Sequence, residues 1–257
     1  MNKKKHPIVF IHGMWSTPEI WRVFSRFYEQ QGYTVHAPAL RHHEETDQNQ
    51  MELARTSIDD YLEDLTAFIE TLSEKPILIG HSLGALLALQ LASRGLAAQA
   101  VLISPVAPAG FFGLYPSVIR TLAGTFSQWG FWRKSIKLSE QSAAYGILGC
   151  LPDEEKPNHY QSMVHESGRA IFQAFFWLFD RSRASRVRKV PECPVLVMVG
   201  RQDWLTPPNH TRNVARDFGA DWMVLEEHGH WLPLEAGSER VAEQSEIWLT
   251  LHEPLDS

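Results

Sequence analysis

The chain has 257 residues, 44% of them apolar, a net charge of −6 and two cysteines. That length suits one large α/β domain or two small ones, and the apolar share fills a core without disulfide staples. There is no basic stripe and no apolar run long enough to span a bilayer, which excludes nucleic-acid binding and a membrane span as readings.

In chain order, Lys3, Lys4 and Lys5 read as a solvated tail. The apolar run 8–11 that follows is too short for a signal-peptide core, so the cytoplasm is the expected compartment. Cys150 and Cys193 lie in no motif that would activate a thiol and read as packing residues.

Short, apolar, often β-branched runs predict strands over 8–11, 34–37, 77–79, 100–103, 195–199 and 222–225. Continuous runs of this kind suit strands buried on both faces of a parallel sheet. Helical periodicity falls between them, over 20–31, 58–72, 83–94, 209–218 and 238–251. Strand–helix alternation predicts an α/β fold: a mostly parallel six-stranded sheet with helices on both faces. The helix over 83–94 has almost no polar face and is expected at the centre. His42-His43-Glu44-Glu45 reads as a solvated loop rather than a metal site, because adjacent residues do not face one point on a regular element.

The alternation breaks from about 106 to 190, where aromatic helices and Pro/Gly punctuation replace strands. This divides the chain into a core (1–105 and 190–257) and a helical cap (106–189). A helix is expected over 171–179, with Phe172, Phe175, Phe176 and Phe179 on one face. Arg181, Arg183, Arg186, Arg188 and Lys189 read as a solvated return linker.

The chemistry centres on Gly80-His81-Ser82-Leu83-Gly84, a G-x-S-x-G pentapeptide between an apolar run and an Ala/Leu-rich helix. In that context glycines permit a tight strand-to-helix turn that exposes the serine oxygen. The following helix aims N–H groups at charge forming beside it. Ser82 is therefore the expected nucleophile. A serine needs a base, and the base an orienting acid. His230 is the expected base, with His228 as competitor; His230 lies nearer the following helix. Asp203, just past the 195–199 strand, is the expected acid. It lies four positions before Pro207, which argues against a helix-capping role. The oxyanion of acyl transfer needs two N–H donors, expected from Leu83 and from Met14 in His12-Gly13-Met14-Trp15. The His12 and His81 side chains read as structural. Trp15, Phe111, Phe112, Phe172, Phe176, Trp204 and Trp231 are the expected substrate-contacting residues, pointing to an apolar acyl or aromatic group. No metal or nucleotide motif occurs, so no cofactor is expected. The expected partner is a small ester or acyl substrate.

With these motifs the sequence resembles the α/β-hydrolase family over essentially its whole length. The resemblance rests on His12-Gly13, Gly80–Gly84, Gly200-Arg201-Gln202-Asp203 and His228-Gly229-His230-Trp231, in the order nucleophile, acid, histidine. It implies Ser82 as nucleophile, Asp203 as acid, His230 as base, Met14 and Leu83 as oxyanion donors, and an insertion after the family's sixth strand. Two departures stand out. Too few residues precede Pro7 for the family's first two strands, which predicts a reduced sheet, and Ala85 stands where many relatives carry glycine. The implied activity is a serine carboxylesterase or thioesterase. C–C bond hydrolysis, lyase chemistry and peracid formation are alternatives on the same scaffold. They would need specific polar groups in the cap, where Glu166 and Arg169 form the one pair to test. The plainer reading of that pair is a surface ion pair on a helix. A receptor that retains the triad without useful turnover is the alternative of another class.

Overall fold

The computed structural model describes residues 5–43 and 49–253. The elements, in chain order, begin with β1 (Ile8–Ile11), α1 (Arg22–Gln30), β2 (Val35–His36), α2 (Gln50–Leu53), α3 (Ile58–Glu70), β3 (Ile77–His81), α4 (Leu83–Ser93) and β4 (Gln99–Ile103). An insertion follows, holding α5 (Pro116–Phe126), β5 (Ser135–Ile136), α6 (Glu140–Gly146), α7 (Lys156–Ser162), β6 (Glu166–Ser167) and α8 (Gly168–Phe175). The chain closes with β7 (Val195–Gly200), α9 (Pro208–Asp217), β8 (Asp221–Leu225) and α10 (Ser238–Leu251).

Six strands form one sheet in the order β2-β1-β3-β4-β7-β8, every neighbouring pair parallel. This is the α/β architecture expected, with helices on both faces. β1, β3, β4 and β7 are buried at every position, which is why they read as unbroken apolar runs. α1 packs on α10, tied by a 2.6 Å bond between the Tyr28 and Ser245 hydroxyls, while α3 packs on α4. α3 opens with a capping box in which Ser57 and Asp60 satisfy each other's backbone N–H. α4 is buried at all of its positions. Each of its leucines contributes about 1.5–3 kcal/mol by leaving water. The side-chain N–H of its polar Gln90 donates to the Ala184 carbonyl at 2.7 Å.

The insertion departs from expectation in two places. The segment expected to be wholly helical contains a two-residue antiparallel ladder, Ser135 with Ser167 and Ile136 with Glu166. The helix expected over 171–179 runs from Gly168 to Phe175 instead. Phe176 leaves helical geometry to stack on Phe172, and Phe179 is 74% exposed rather than on the buried face. The return-linker cations Arg181, Arg183, Arg186, Arg188 and Lys189 are all exposed. Among the described residues no helix is long and apolar enough to cross a membrane.

Candidate active site

Ser82 sits between β3 and α4 with φ 53° and ψ −115°, a conformation that side-chain-bearing residues rarely adopt. The surroundings hold it there. Its N–H donates to the Ile103 carbonyl at 2.9 Å and its carbonyl accepts from Val106 N–H at 3.1 Å, so β4 and the segment after it grip the turn. The flanking glycines are required by contact. A Cβ on Gly84 would lie 2.5 Å from the His12 carbonyl oxygen, and one on Gly80 would lie 2.7 Å from Ala85 Cα. The turn thus presses against both β1 and its own helix.

Asp203 follows β7 and His230 follows β8, and the two loops meet through Gly200. A Cβ there would clash with the His228 and Gly229 carbonyls. His230 Nδ1 lies 3.1 and 3.0 Å from the two Asp203 carboxylate oxygens, and His230 Nε2 lies 3.2 Å from Ser82 Oγ. With Nδ1–H donating to the carboxylate, Nε2 carries a lone pair toward the serine hydroxyl. The Asp203 carboxylate also accepts from Leu205 N–H, Thr206 N–H and the Thr206 hydroxyl at 2.7–2.9 Å. Burial pushes its pKa up, but the His230 charge and these bonds outweigh burial and hold it down at about 2. It caps no helix: α9 starts at Pro208 without a side-chain cap.

His228, the competitor, is not in this line. It pairs with Glu235 at 3.1 Å. Glu235 also accepts from Gly229 N–H at 2.8 Å and from Trp231 N–H at 3.0 Å, so one buried carboxylate holds the loop on both sides of His230. Neither Glu235 nor Thr206 stood out in the sequence. His81 donates from Nε2 to the His230 carbonyl at 2.8 Å. Burial, with the nearby His230 charge, lowers its pKa to about 3 and keeps it neutral.

The His12–Trp15 loop passes over the serine: a Cβ on Gly13 would lie 2.9 Å from Ser82 Cβ. The Gly13 carbonyl accepts from His12 Nδ1–H at 2.9 Å and from the Ser16 hydroxyl at 3.0 Å. His12 Nε2 accepts from Leu40 N–H at 3.0 Å, so the ring is neutral and its tautomer is set. Burial, then the neighbouring His43, lowers its pKa to about 3. The Gly13 carbonyl and the Met14 N–H belong to one planar trans peptide and point in opposite directions. Clamping the carbonyl therefore aims the Met14 N–H. Leu83 is the first residue of α4, where helix geometry leaves the N–H without an intrahelical partner.

The expected substrate-contacting aromatics divide. Trp15 and Trp231 are buried beside Met14 and His230 in sequence. Phe172 and Phe176 stack on each other inside the insertion, and Phe172 helps line a cavity of about 600 Å³ with Trp132, Arg55, Arg133 and Arg169. Ser82 does not line that cavity. Phe111 packs on Phe218, whereas Phe112 is 66% exposed against Tyr115, and Trp204 is 52% exposed and stacks on Tyr145. Ser82, Asp203 and His230 are each 3–4% exposed.

Two expectations are overturned. Glu166 and Arg169 do not form a surface ion pair on a helix. Glu166 lies on β6, fully buried against His43 and Tyr61, while Arg169 donates to the Arg55 carbonyl at 3.0 Å. The same contact removes His43 from the solvated loop expected at 42–45: burial of the carboxylate demands a cation and hydrogen-bond donors, and His43 with Tyr61 supplies them. Glu44 and Glu45 lie outside the described residues. Cys150 has its thiol pushed up to about 11 by burial and then by Glu235, in keeping with a packing role.

No curated protein matches the chain by sequence. Solved structures with the same fold include a monoacylglycerol lipase from Paleococcus ferrophilus, with TM-score 0.70, 22% identity and 96% of each chain covered. A methylesterase from Arabidopsis aligns with TM-score 0.69 and 13% identity over 96% of this chain and 100% of its own. A thioesterase domain from the curacin biosynthetic pathway aligns with TM-score 0.63 and 22% identity over 95% and 92%. The model of the alpha/beta hydrolase family matches residues 8–244, and the chain belongs to that family.

Proposed function

We propose that the protein is a serine hydrolase that cleaves carboxylic esters or thioesters of small apolar acyl or aromatic compounds. The observation that carries this reading is the hydrogen-bonded line from Ser82 Oγ through His230 to Asp203, with the Gly13–Met14 peptide directly over the serine. The neighbouring structures named above are themselves a lipase, a methylesterase and a thioesterase domain, in keeping with acyl transfer to water.

In this mechanism Ser82 Oγ attacks the substrate carbonyl carbon as its proton passes to His230 Nε2. Asp203 stabilises the imidazolium and fixes the ring. The Met14 and Leu83 N–H groups stabilise the tetrahedral oxyanion, where each such donor is worth on the order of 10²–10³ in kcat. The imidazolium protonates the leaving alcohol or thiol, and an acyl-Ser82 ester remains. His230 then takes a proton from water, and the resulting attack releases the acid. Trp15 and Trp231, buried chain neighbours of Met14 and His230, are proposed to supply apolar wall. Because Ser82 is nearly closed off, substrate enters when the insertion shifts, which gives residues 106–189 the role of a lid.

The test is turnover of p-nitrophenyl esters and acyl thioesters of increasing chain length. Wild-type turnover should fall on the order of 10⁴-fold or more in Ser82→Ala, with the fold intact by circular dichroism. Turnover that survives the substitution sinks the reading. Absence of wild-type turnover on every acyl substrate, with the fold intact, favours the receptor alternative.

A further inference from the structure

Glu166 and His43 are both fully buried, 3.2 Å apart, and take no part in the chemistry just described. The protons of this pair can be counted. His43 Nδ1 faces the Arg41 carbonyl at 3.1 Å and must carry a hydrogen to bond it. Glu166 Oε1 accepts from the Tyr61 hydroxyl at 2.8 Å and from Ser167 N–H at 2.6 Å, and both bonds favour the carboxylate. His43 Nε2–H then donates to Oε2, and the pair is an imidazolium with a carboxylate. Replacing such a pair by apolar side chains is often neutral or stabilising, so burial of the pair does not by itself mark it as a stabilising device.

Two paths run from this pair to the peptide that carries the proposed oxyanion donor. On the core side, the His43 ring lies 5.3 Å from the His12 ring, and His12 clamps the Gly13 carbonyl at 2.9 Å. On the insertion side, Glu166 is the ladder partner of Ile136. The Ile136 carbonyl accepts from the Trp15 indole N–H at 3.0 Å, and Val164 N–H donates to the Trp15 carbonyl at 3.1 Å. Trp15 adjoins Met14 and is held at φ 58°, a conformation that needs outside support. The Met14 peptide is thus gripped by His12 before it and, through Trp15, by the Glu166 ladder after it.

We propose that Glu166 is a positioning residue for the Met14 oxyanion donor. With His43 and Tyr61 it fastens the β5–β6 ladder to the core, and through Trp15 and His12 it sets the direction of the Met14 N–H. This rests on the hydrolase reading. The two are separable because the Ser82→Ala blank tests the reading alone. The role differs from C–C or lyase chemistry at Glu166, since the carboxylate is fully buried and both its oxygens are engaged, by His43 and by Tyr61 with Ser167.

The experiment compares wild type, Glu166→Ala and Glu166→Gln on p-nitrophenyl butyrate, with rates divided by active sites titrated with a fluorophosphonate. Titration removes any effect of misfolded enzyme. Glu166→Ala should lower kcat per titrated site about tenfold, a fraction of what losing an oxyanion donor costs, and leave KM within about twofold. Affinity for a boronic acid that mimics the tetrahedral state should fall by the same factor. Glu166→Gln should restore kcat to within about threefold, because its amide N–H can donate to a neutral His43 Nε2 while its carbonyl keeps the Tyr61 and Ser167 bonds. An unchanged kcat per titrated site in Glu166→Ala overturns the proposal and leaves a merely structural pair. If Glu166→Ala does not fold, Tyr61→Phe decides in its place: a two- to threefold fall in kcat per site supports the proposal, and an unchanged kcat overturns it.

Discussion

Among the described residues two histidine–carboxylate pairs are buried on both sides at nearly the same separation, His230 Nδ1 with Asp203 at 3.0 Å and His43 Nε2 with Glu166 at 3.2 Å. Their differences lie in the outer nitrogen. In His230 the nitrogen away from the acid faces the Ser82 hydroxyl, which can give up a proton. In His43 it faces the Arg41 carbonyl, which cannot. In the proposed mechanism the first ring takes up and returns a proton, while the second has no group on its far side with which to exchange one. Site chemistry is decided by what the far side of the ring touches, and a His–Asp or His–Glu contact alone does not reveal it.

The sharpest test of that contrast exchanges each carboxylate for its amide. Asp203→Asn should cost on the order of 10⁴ in kcat, because an amide no longer enforces the Nδ1–H tautomer that leaves Nε2 free to accept from Ser82. Glu166→Gln, the same chemical change at the other pair, should cost less than about threefold. Steady-state kinetics on one ester settles both, and equal losses would break the distinction.

Next in size is the elbow itself. Gly84→Ala puts a methyl group 2.5 Å from the His12 carbonyl oxygen, against β1 backbone that has no room to yield. Overpacking of this kind costs about 1–3 kcal/mol or more. The urea midpoint of Gly84→Ala should drop accordingly; a midpoint equal to wild type would show that the turn tolerates a side chain.

The buried histidines also predict opposite limbs of a stability profile, His12 and His81 on one side and His43 on the other. Burial lowers His12 and His81 to about 3, so below pH 6.5 the unfolded chain takes up protons that the folded one refuses. Stability from these groups is full above 6.5 and lost as pH falls, by about 2 kcal/mol each at pH 5. For His43, burial pushes the pKa down, but the Glu166 charge and hydrogen bond push it further up. Its stabilisation is full below 6.5 and lost as pH rises through the raised value. Urea midpoints should therefore peak near neutrality. Glu166→Gln should flatten the alkaline limb and leave the acid limb in place. A profile with no acid limb between pH 7 and pH 5 contradicts the neutral burial of His12 and His81.

What was legible in the sequence follows the same physics. Strands buried on both faces show as apolar runs, which makes β1, β3, β4 and β7 legible; the half-buried edge strands β2 and β8 also lie within or close to their expected ranges, and β1 and α10 match to the residue. The meeting of Ser82, Asp203 and His230 is legible because each lies just past a strand of the sheet, at the edge where parallel sheets build sites. Glu166 was misread because its partner His43 is 123 residues away and its strand is two residues long, too short for any period to register. Glu235 gives no signal in the sequence because two of its three partners are backbone N–H groups, which leave no residue-type signature. The limit of α8 was overrun because Phe172 and Phe176 keep helical spacing, yet the chain turns at Phe176 to let those rings stack.

The smallest predicted effect separates two neighbouring histidines. His228 is two residues from the proposed base, yet its Nδ1 meets Glu235 at 3.1 Å. His228→Asn places an amide donor near the same carboxylate, and Glu235 still holds Gly229 and Trp231 through their N–H groups. Loss of one hydrogen bond to a carboxylate nets about 1.5–3 kcal/mol at most, and the two N–H bonds remain, so the loop carrying His230 should keep its place and kcat should stay within about threefold. His230→Asn should abolish turnover in the same assay. If His228→Asn fell as far as His230→Asn, the base would have to be reassigned, and with it the direction in which Asp203 orients a ring.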